Sequence, residues 1–186
     1  MALELEAQQV FASAGVPVLY CGLGKVNAAM ALMRRLTQYR AAELPLPLVL
    51  NFGTAGSPRF ATGALVGCSR FLQRDMDVSA LGFPVGTTPF ESLPAELQFP
   101  TLFPELPQGL CGSGDSFETG AARLHCDVID MEAYALAKVC HVEGARFGCA
   151  KFITDGADQS AAGDWQSNLP RAAAAFWQLY ERLASG

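Results

Sequence analysis

Hydrophobic residues along the chain form short continuous runs, separated by stretches in which they recur at helical spacing. Short apolar runs bounded by glycine or polar residues are typical of strands buried on both faces of a sheet. They predict six strands, at residues 16–21, 48–52, 64–72, 110–113, 126–130 and 145–154. Residues 73–108 are rich in Pro, Gly and Thr, so we expect a long active-site or interface loop there.

Helical spacing between the runs predicts four helices, at residues 2–13, from Lys25 onward, from Ala133 to a stop at Gly144, and near 168–183. The apolar positions assigned to the last three are Val26, Ala29, Met30, Met33 and Leu36, then Ala133, Leu136, Ala137 and Cys140, then Ala173, Phe176, Trp177 and Tyr180. Strands that alternate with helices imply an α/β fold. We expect one domain, residues 1–186, with a mixed, mostly parallel sheet flanked by helices.

Composition narrows the class of protein. Of the 186 residues, 51% are hydrophobic and 17% charged, and the net charge is −5 without a Lys/Arg cluster. These values argue against nucleic acid or a membrane as partner, and no run approaches the roughly 20 apolar residues of a membrane-spanning helix. We expect a soluble, cytoplasmic protein without a signal peptide.

The six cysteines contain no CxxC motif and most lie in apolar runs, so disulfides are not expected. His125-Cys126 and Cys140-His141 could suggest zinc. Neighbouring residues on a strand point to opposite faces, however, and we predict no metal site.

Two predicted strands each lead to a carboxylate at their end. Glu132 follows the run at 126–130, and Asp155 follows the run at 145–154. Ligands of open α/β sheets bind at the ends of strands, and two acids there suit an enzyme that binds sugar hydroxyls and moves a proton. Each acid also has a structural alternative: Glu132 as a solvated first-turn residue, and Asp155 as an N-cap of the last helix, a position for which Asp158 competes.

Two glycine-rich segments follow predicted strands. Residues 20–28, with Gly22 and Gly24, open a helix and approach a dinucleotide-binding pattern, but the third glycine is missing. A tight turn without a ligand is the alternative there. Residues 51–56 form either a plain turn or one wall of a site.

Five segments resemble, in order, signature segments of the purine nucleoside phosphorylase and nucleosidase family, especially its 5′-methylthioadenosine/S-adenosylhomocysteine nucleosidases. They are GLGKVNAA (22–29), NFGTAG (51–56), SGDSF (113–117), DMEA (130–133) and TDGAD (154–158). The resemblance implies a phosphorylase/hydrolase-like fold and a purine nucleoside as substrate, with no cofactor.

The resemblance also implies roles for individual residues. Asp155 would be the general acid that protonates the purine, and Glu6, in a looser match at residues 2–6, would activate water. Substrate-binding residues would be Met131, Glu132, Phe117, Glu118, Thr54 and Thr154. Without the family context, Phe117 would be a core residue and Glu6 a solvated helix residue.

Two departures from the family pattern affect the expected reaction. Phosphorylases of the family have arginine at the position of Asn51, where it holds phosphate, so Asn51 favours water as the nucleophile. Cys21 lies only fifteen positions after Glu6, so the family's first strands are expected to be missing.

The predicted reaction is hydrolysis of the N-glycosidic bond of a purine nucleoside or of a 5′-thio-substituted adenosine. Phosphorolysis and nucleoside binding without catalysis remain alternatives. The resemblance of residues 77–82, together with the exposed apolar residues expected near Leu81 and Pro89, predicts a homodimer in which these two residues border the partner's pocket.

Overall fold

The protein was analysed as a computed structural model, which describes residues 1–116, 124–156 and 161–185, with the side chains of 161–164 left out. The strands are β1 (Val49–Gly56), β2 (Leu65–Gln73), β3 (Glu96–Gln98), β4 (Gln108–Ser113), β5 (Val128–Asp130) and β6 (Phe147–Asp155). The helices are α1 (Val10–Ser13), α2 (Lys25–Ala41), α3 (Ala133–Glu143) and α4 (Ala161–Ser185). Short 3₁₀ turns cover Glu4–Glu6 and Ser79–Leu81. Five of the six predicted strands are confirmed.

The sheet has the order β3-β2-β4-β5-β1-β6, and β6 also pairs with β2, so five of its strands close into a ring. Three strand pairs in the described chain are parallel (β1–β6, β2–β4, β4–β5) and three are antiparallel (β1–β5, β2–β3, β2–β6). The sheet is therefore mixed, but the mostly parallel arrangement is not confirmed. Ring closure through β2–β6 and the added edge strand β3 account for two of the antiparallel pairs.

The N-terminal segment differs from the prediction. The expected helix at 2–13 is interrupted, because Gln8 and Gln9 have positive φ angles between the 3₁₀ turn and α1. Residues 16–21 do not form the expected buried strand. Met1 bonds to Leu19 and Cys21, and the Val16 N–H donates to the Phe11 carbonyl, but no continuous ladder forms. In the described chain, no strand precedes β1.

Residues 73–108 contain β3 and a 3₁₀ turn and are not wholly loop. Helix α3 ends where predicted, at Gly144, which adopts the left-handed conformation (φ 71°) that glycine tolerates best. Helix α4 starts earlier than predicted and packs Ala173 and Phe176 against the sheet, with Phe176 stacked on Phe52 at 5.4 Å between ring centroids.

The exposed side of α2 is more apolar than the sequence pattern indicated. Its buried residues are Ala28, Leu32 and Leu36, whereas Val26, Met30 and Met33 are exposed. Over the described chain, no helix combines the length and apolar character needed to cross a bilayer.

Candidate active site

A cavity of about 220 Å³ lies where β1, β5 and β6 end. Its lining includes Glu6, Glu132 and Asp155 together with Thr54, Met131 and Thr154. The sequence predicted that strand ends place Glu132 and Asp155 near each other, and both side chains line this one cavity. The three carboxylates lie in a largely apolar wall, and each is more than nine-tenths buried.

Glu6 is held by four hydrogen bonds. Its Oε2 accepts from the backbone N–H groups of Ala2 (3.0 Å) and Leu3 (3.2 Å). Its Oε1 accepts from the N–H (2.8 Å) and the hydroxyl (2.9 Å) of Thr54. The Thr54 hydroxyl also accepts from Trp165 Nε1 at 2.9 Å. Glu6 is thus a fixed part of the cavity and not a solvated helix residue.

Glu132 lies at the start of α3 and reaches the glycine-rich turn before α2. Its Oε1 accepts from the N–H of Gly24 at 2.8 Å, and the next N–H, of Lys25, donates to Asp115 at 2.8 Å. A dinucleotide phosphate would need the N–H groups of Gly24 and Lys25, but these two groups already donate to carboxylates. Gly24 is required here because its φ is 87° and an added Cβ would lie 3.0 Å from Asp115 Oδ1.

Beneath Glu132, Lys151 and Asp130 form a buried ion pair at 2.7 Å. Asp130 also accepts from the Ser113 hydroxyl and from the N–H groups of Ala133 (2.8 Å) and Glu132 (3.3 Å). Burial favours neutral Asp130, but the Lys151 ammonium and these donors outweigh it and hold the pKa of Asp130 below its usual value. Burial alone would lower the pKa of Lys151, yet Asp130 raises it well above the ordinary value.

The charge of Asp130 in turn affects Glu132. Burial, followed by repulsion from Asp130, raises the pKa of Glu132 to about 7, although Lys151 and the Gly24 N–H oppose the shift. Near neutral pH, a small change in surroundings, such as hydroxyl groups placed against this carboxylate, can therefore change its protonation.

Thr154 and Asp155 end β6 beside the same cavity. The Thr154 hydroxyl donates to Asp155 Oδ2 at 2.8 Å, and Asn168 Nδ2 donates to the Thr154 carbonyl at 3.2 Å. Asp155 is the last residue of β6, whereas α4 begins at Ala161, so Asp155 does not occupy the N-cap position of that helix. Asp158, the other N-cap candidate, lies outside the described residues.

The SGDSF segment is described only as far as Ser116, so the predicted Phe117 and Glu118 lie outside the described residues. Ser116 lines the cavity together with Arg74. The Arg74 guanidinium donates to the Ser116 hydroxyl (3.1 Å), the Ser116 carbonyl and the Gly114 carbonyl (3.4 Å).

Three other predicted residues do not line this cavity. Leu81 is 72% exposed and Pro89 is half-buried, so within one chain neither contributes to the pocket. Asn51 is buried on β1 and accepts from Cys149 Sγ at 3.4 Å. Asn51 is the third residue of β1, away from the strand end that lines this cavity.

Sequence reasoning missed Lys151, Asp130, Arg74 and Trp165. Lys151 had a visible signal, because it is the one charged residue within the apolar run 147–153. Asp130 also had a visible signal, because it is the acid that ends the predicted strand at 126–130, two residues before Glu132. Nothing in the local sequence of Arg74 or Trp165 marked them as cavity residues. Among the described residues, no group of three or more His, Cys, Asp or Glu side chains is placed to hold a metal.

Comparison with known proteins identifies the family of this chain. The phosphorylase superfamily profile matches residues 9–185, and the chain belongs to this family. The 5′-methylthioadenosine/S-adenosylhomocysteine nucleosidase of Haemophilus ducreyi is 32% identical, over 85% of this chain and 75% of that protein. The nucleosidase of the same name from Neisseria meningitidis, solved with methylthio-immucillin-A, is 28% identical over 83% of this chain and 74% of that chain, with a TM-score of 0.69.

Futalosine hydrolase of Helicobacter pylori shares the fold, with a TM-score of 0.84 and 19% identity over 99% of this chain and 94% of that chain. Proteins with different names therefore share this fold.

The raised pKa of Glu132 predicts a pH-dependent stability for the ligand-free protein. The pKa of Glu132 is 4.5 in the unfolded chain and about 7 in the folded protein. Between pH 4.5 and 7, Glu132 is therefore protonated in the folded state and ionised in the unfolded state. The free energy of unfolding should therefore fall by up to about 3 kcal/mol as pH rises from 4.5 to 7. Urea titrations across this pH range measure the slope.

Glu132→Gln is the matched control, since it keeps the side-chain shape and cannot ionise. Its stability should change less over the same range. Equal slopes for the two proteins would show that Glu132 titrates normally.

Proposed function

We propose that this chain hydrolyses the N-glycosidic bond of a purine nucleoside, releasing free base and sugar. The observation that carries the proposal is that Glu6, Glu132 and Asp155 line one cavity, each buried at the end of a different element. 5′-Methylthioadenosine and S-adenosylhomocysteine are the first candidate substrates, because relatives that share about 30% of their residues with this chain carry both names. The chain is then an N-glycosyl hydrolase.

In this proposal, Glu132 accepts hydrogen bonds from the ribose hydroxyls and Met131 packs against the sugar. Donation from the hydroxyls favours the ionised form of Glu132, whose pKa is already near neutral. The negative charge then lies beside the sugar as positive oxocarbenium character develops.

Asp155 is proposed as the general acid. It donates its proton to the purine as the bond between the base nitrogen and C1′ breaks, so the base leaves neutral. Thr154, bonded to Asp155 Oδ2 at 2.8 Å, fixes the orientation of the carboxyl group. Phe117 and Glu118 stay proposed contacts of the base.

Glu6 is proposed to position the attacking water, whose oxygen bonds to C1′ while its proton passes to the carboxylate. A carboxylate has about four acceptor positions, and four donors already bind Glu6. Water must therefore replace one donor. The Thr54 hydroxyl is the group that can rotate away, because the other three are backbone N–H groups.

Phosphorolysis is a weaker alternative. Arg74 is the one Arg or Lys among the described residues that line the cavity, and its guanidinium already binds Ser116 and Gly114. A phosphate dianion needs paired cationic donors. We further propose that residues 1–48 form none of the family's first strands, because the structure has no strand there. We also propose that the protein acts in the cytoplasm, in line with its acidic composition.

Incubation with 5′-methylthioadenosine, S-adenosylhomocysteine, adenosine or inosine should release free base at a rate independent of phosphate. Chromatography of the products, with and without phosphate, measures this. A rate that rises strongly with phosphate and yields sugar 1-phosphate would make the protein a phosphorylase. Binding without any release of base would make it a nucleoside-binding protein.

Asp155→Asn and Glu6→Gln should each reduce kcat by at least about 10²-fold, because each removes a proton-transfer group. Both substitutions conserve shape, so nucleoside affinity should stay near that of the parent. Single-turnover rates and equilibrium binding of the best substrate separate the two effects.

Glu4→Gln is the control for Glu6→Gln, since Glu4 is exposed on the same 3₁₀ turn and should keep full turnover. Near-parental kcat in Asp155→Asn would remove Asp155 from the mechanism. Near-parental kcat in Glu6→Gln would assign the water to another group.

We also propose a homodimer that contributes to the pocket. Val26 (67% exposed), Met30 (57%) and Met33 form an apolar stripe along α2. Leu23, just before the helix, is 52% exposed and also lines the cavity. Leu81 and Phe90 are also exposed, by 72% and 95%, and Phe90 contacts Phe83. Exposed apolar patches of this kind mark interfaces. In the dimer, Leu81 and Pro89 would border the partner's pocket.

Light scattering at micromolar concentration should give twice the chain mass. Met30→Glu should reduce it to one chain, because a charge in the apolar stripe cannot be desolvated without cost. Val142→Glu changes an equally apolar residue, 64% exposed on α3, and should leave the dimer intact. A monomeric parent protein would rule out the dimer.

A further inference from the structure

Trp165 lies beside the candidate active site but has no part in the mechanism proposed above. It is the fifth residue of α4, and its half-buried side chain lines the same cavity as Glu6 and Thr54. Its indole Nε1 donates to the Thr54 hydroxyl at 2.9 Å. A partly buried indole nitrogen usually has such an acceptor, so the contact by itself could be structural. It bears on the reaction because of the group that the hydroxyl contacts next.

A hydrogen-bonded chain connects α4 to Glu6 through Thr54. The Thr54 hydroxyl accepts from Trp165 and donates to Glu6 Oε1 at 2.9 Å. An indole nitrogen can only donate and an ionised carboxylate can only accept, so the two ends of the chain fix the direction of both hydrogen bonds. The single hydroxyl proton therefore points at Glu6 and away from Trp165.

The helix that carries Trp165 is held in place independently of this chain. Asn168, about one helical turn further along α4, is buried, and its Nδ2 donates to the Thr154 carbonyl of β6 at 3.2 Å. Arg171 Nη1 in turn donates to Asn168 Oδ1 at 3.0 Å. This part of α4 is thus fixed against β6, and Trp165 reaches across to β1. The indole therefore helps to set the position of the Thr54 oxygen.

The position of the Thr54 oxygen matters when water enters the site. Four donors bind Glu6, so water must take the place of the Thr54 hydroxyl at Oε1. Water between these two groups accepts a hydrogen bond from the hydroxyl and donates one to Glu6, which leaves a lone pair free to attack C1′. A Thr54 hydroxyl without its indole donor could instead accept from the water, and no donor would then orient the lone pairs of the water.

We propose that Trp165 is a positioning residue for the attacking water. Through its indole N–H, Trp165 keeps the Thr54 hydroxyl as a donor at the edge of the cavity, so that this hydroxyl can turn from Glu6 to the incoming water. Trp165 exchanges no proton and forms no bond to the substrate in this role. The inference rests on the proposed hydrolase function and adds to it a residue that orients the nucleophile.

The first test is the release of free base from the fastest of the four nucleosides named above. Trp165→Phe should lower kcat by about five- to tenfold, the effect of one lost hydrogen bond, and change KM by less than about twofold. Trp165→benzothienylalanine keeps the two-ring shape and replaces only the N–H group by sulfur, so it should be as slow as Trp165→Phe.

Trp177→Phe is the matched control. It makes the same change on the same helix, at a ring that packs against Phe11 and is not among the residues that line the cavity. It should keep the parental kcat.

A double-mutant cycle separates positioning through Thr54 from a purely structural role. Thr54→Val removes the hydroxyl and keeps the branched shape, so Trp165 then has nothing to position. The double variant Trp165→Phe/Thr54→Val should therefore be no slower than Thr54→Val alone. Losses in kcat that multiply would show that Trp165 acts independently of Thr54 and would overturn the inference.

NMR of the ¹⁵N-labelled chain tests the hydrogen bond without turnover. The chain has 2 tryptophans, Trp165 and Trp177, and therefore two indole N–H signals, which Trp177→Phe assigns. Thr54→Val should speed the solvent exchange of the Trp165 indole proton by about five- to tenfold and leave that of Trp177 unchanged. Unchanged exchange at Trp165 would overturn the inference.

Failure of this inference and failure of the hydrolase proposal are distinguishable. A parent chain that releases no base contradicts both. An active parent whose kcat is kept in Trp165→Phe or in Trp165→benzothienylalanine overturns the inference alone. A rise in KM with parental kcat does the same, because it would show that Trp165 binds the nucleoside and does not position water.

Discussion

The buried ion pair between Lys151 and Asp130 is the interaction on which the candidate site depends. Lys151 comes from the middle of β6, and Asp130 ends β5 and bonds to the start of α3 and to Ser113 of β4. One carboxylate thus joins three elements of the closed sheet to the helix that carries Glu132. Removing either charge would leave the other buried without a partner, which is strongly unfavourable. The pair therefore determines both the position and, through repulsion from Asp130, the pKa of Glu132.

Glu6 plays a comparable role at the other side of the cavity. Its carboxylate satisfies the N–H of Thr54 at the open edge of β1 and two N–H groups of its own turn. A side chain thereby takes the place that a neighbouring strand has elsewhere in the sheet.

The sequence predicted those parts of the molecule that depend on local pattern. Continuous apolar runs indicated five of the strands, and the acids after them indicated where Glu132 and Asp155 meet. Residues 16–21 were mispredicted because an apolar run forms a strand only if a neighbour pairs with it, and pairing is not local. Ring closure through β2 and β6, the partner of Lys151 and the inward position of Trp165 also depend on long-range contacts. The apolar stripe of α2 has the spacing of a core face, so periodicity alone could not assign it to the surface.

The most direct test of this account is a double-mutant cycle on the ion pair. Unfolding by urea would be measured for the parent, Lys151→Met, Asp130→Asn and the double variant. The account predicts a loss of about 3–5 kcal/mol for each single variant and a double variant that loses no more than the larger of the two. Small losses that simply add would contradict it, since the two charges would then be independent and could not organise the site.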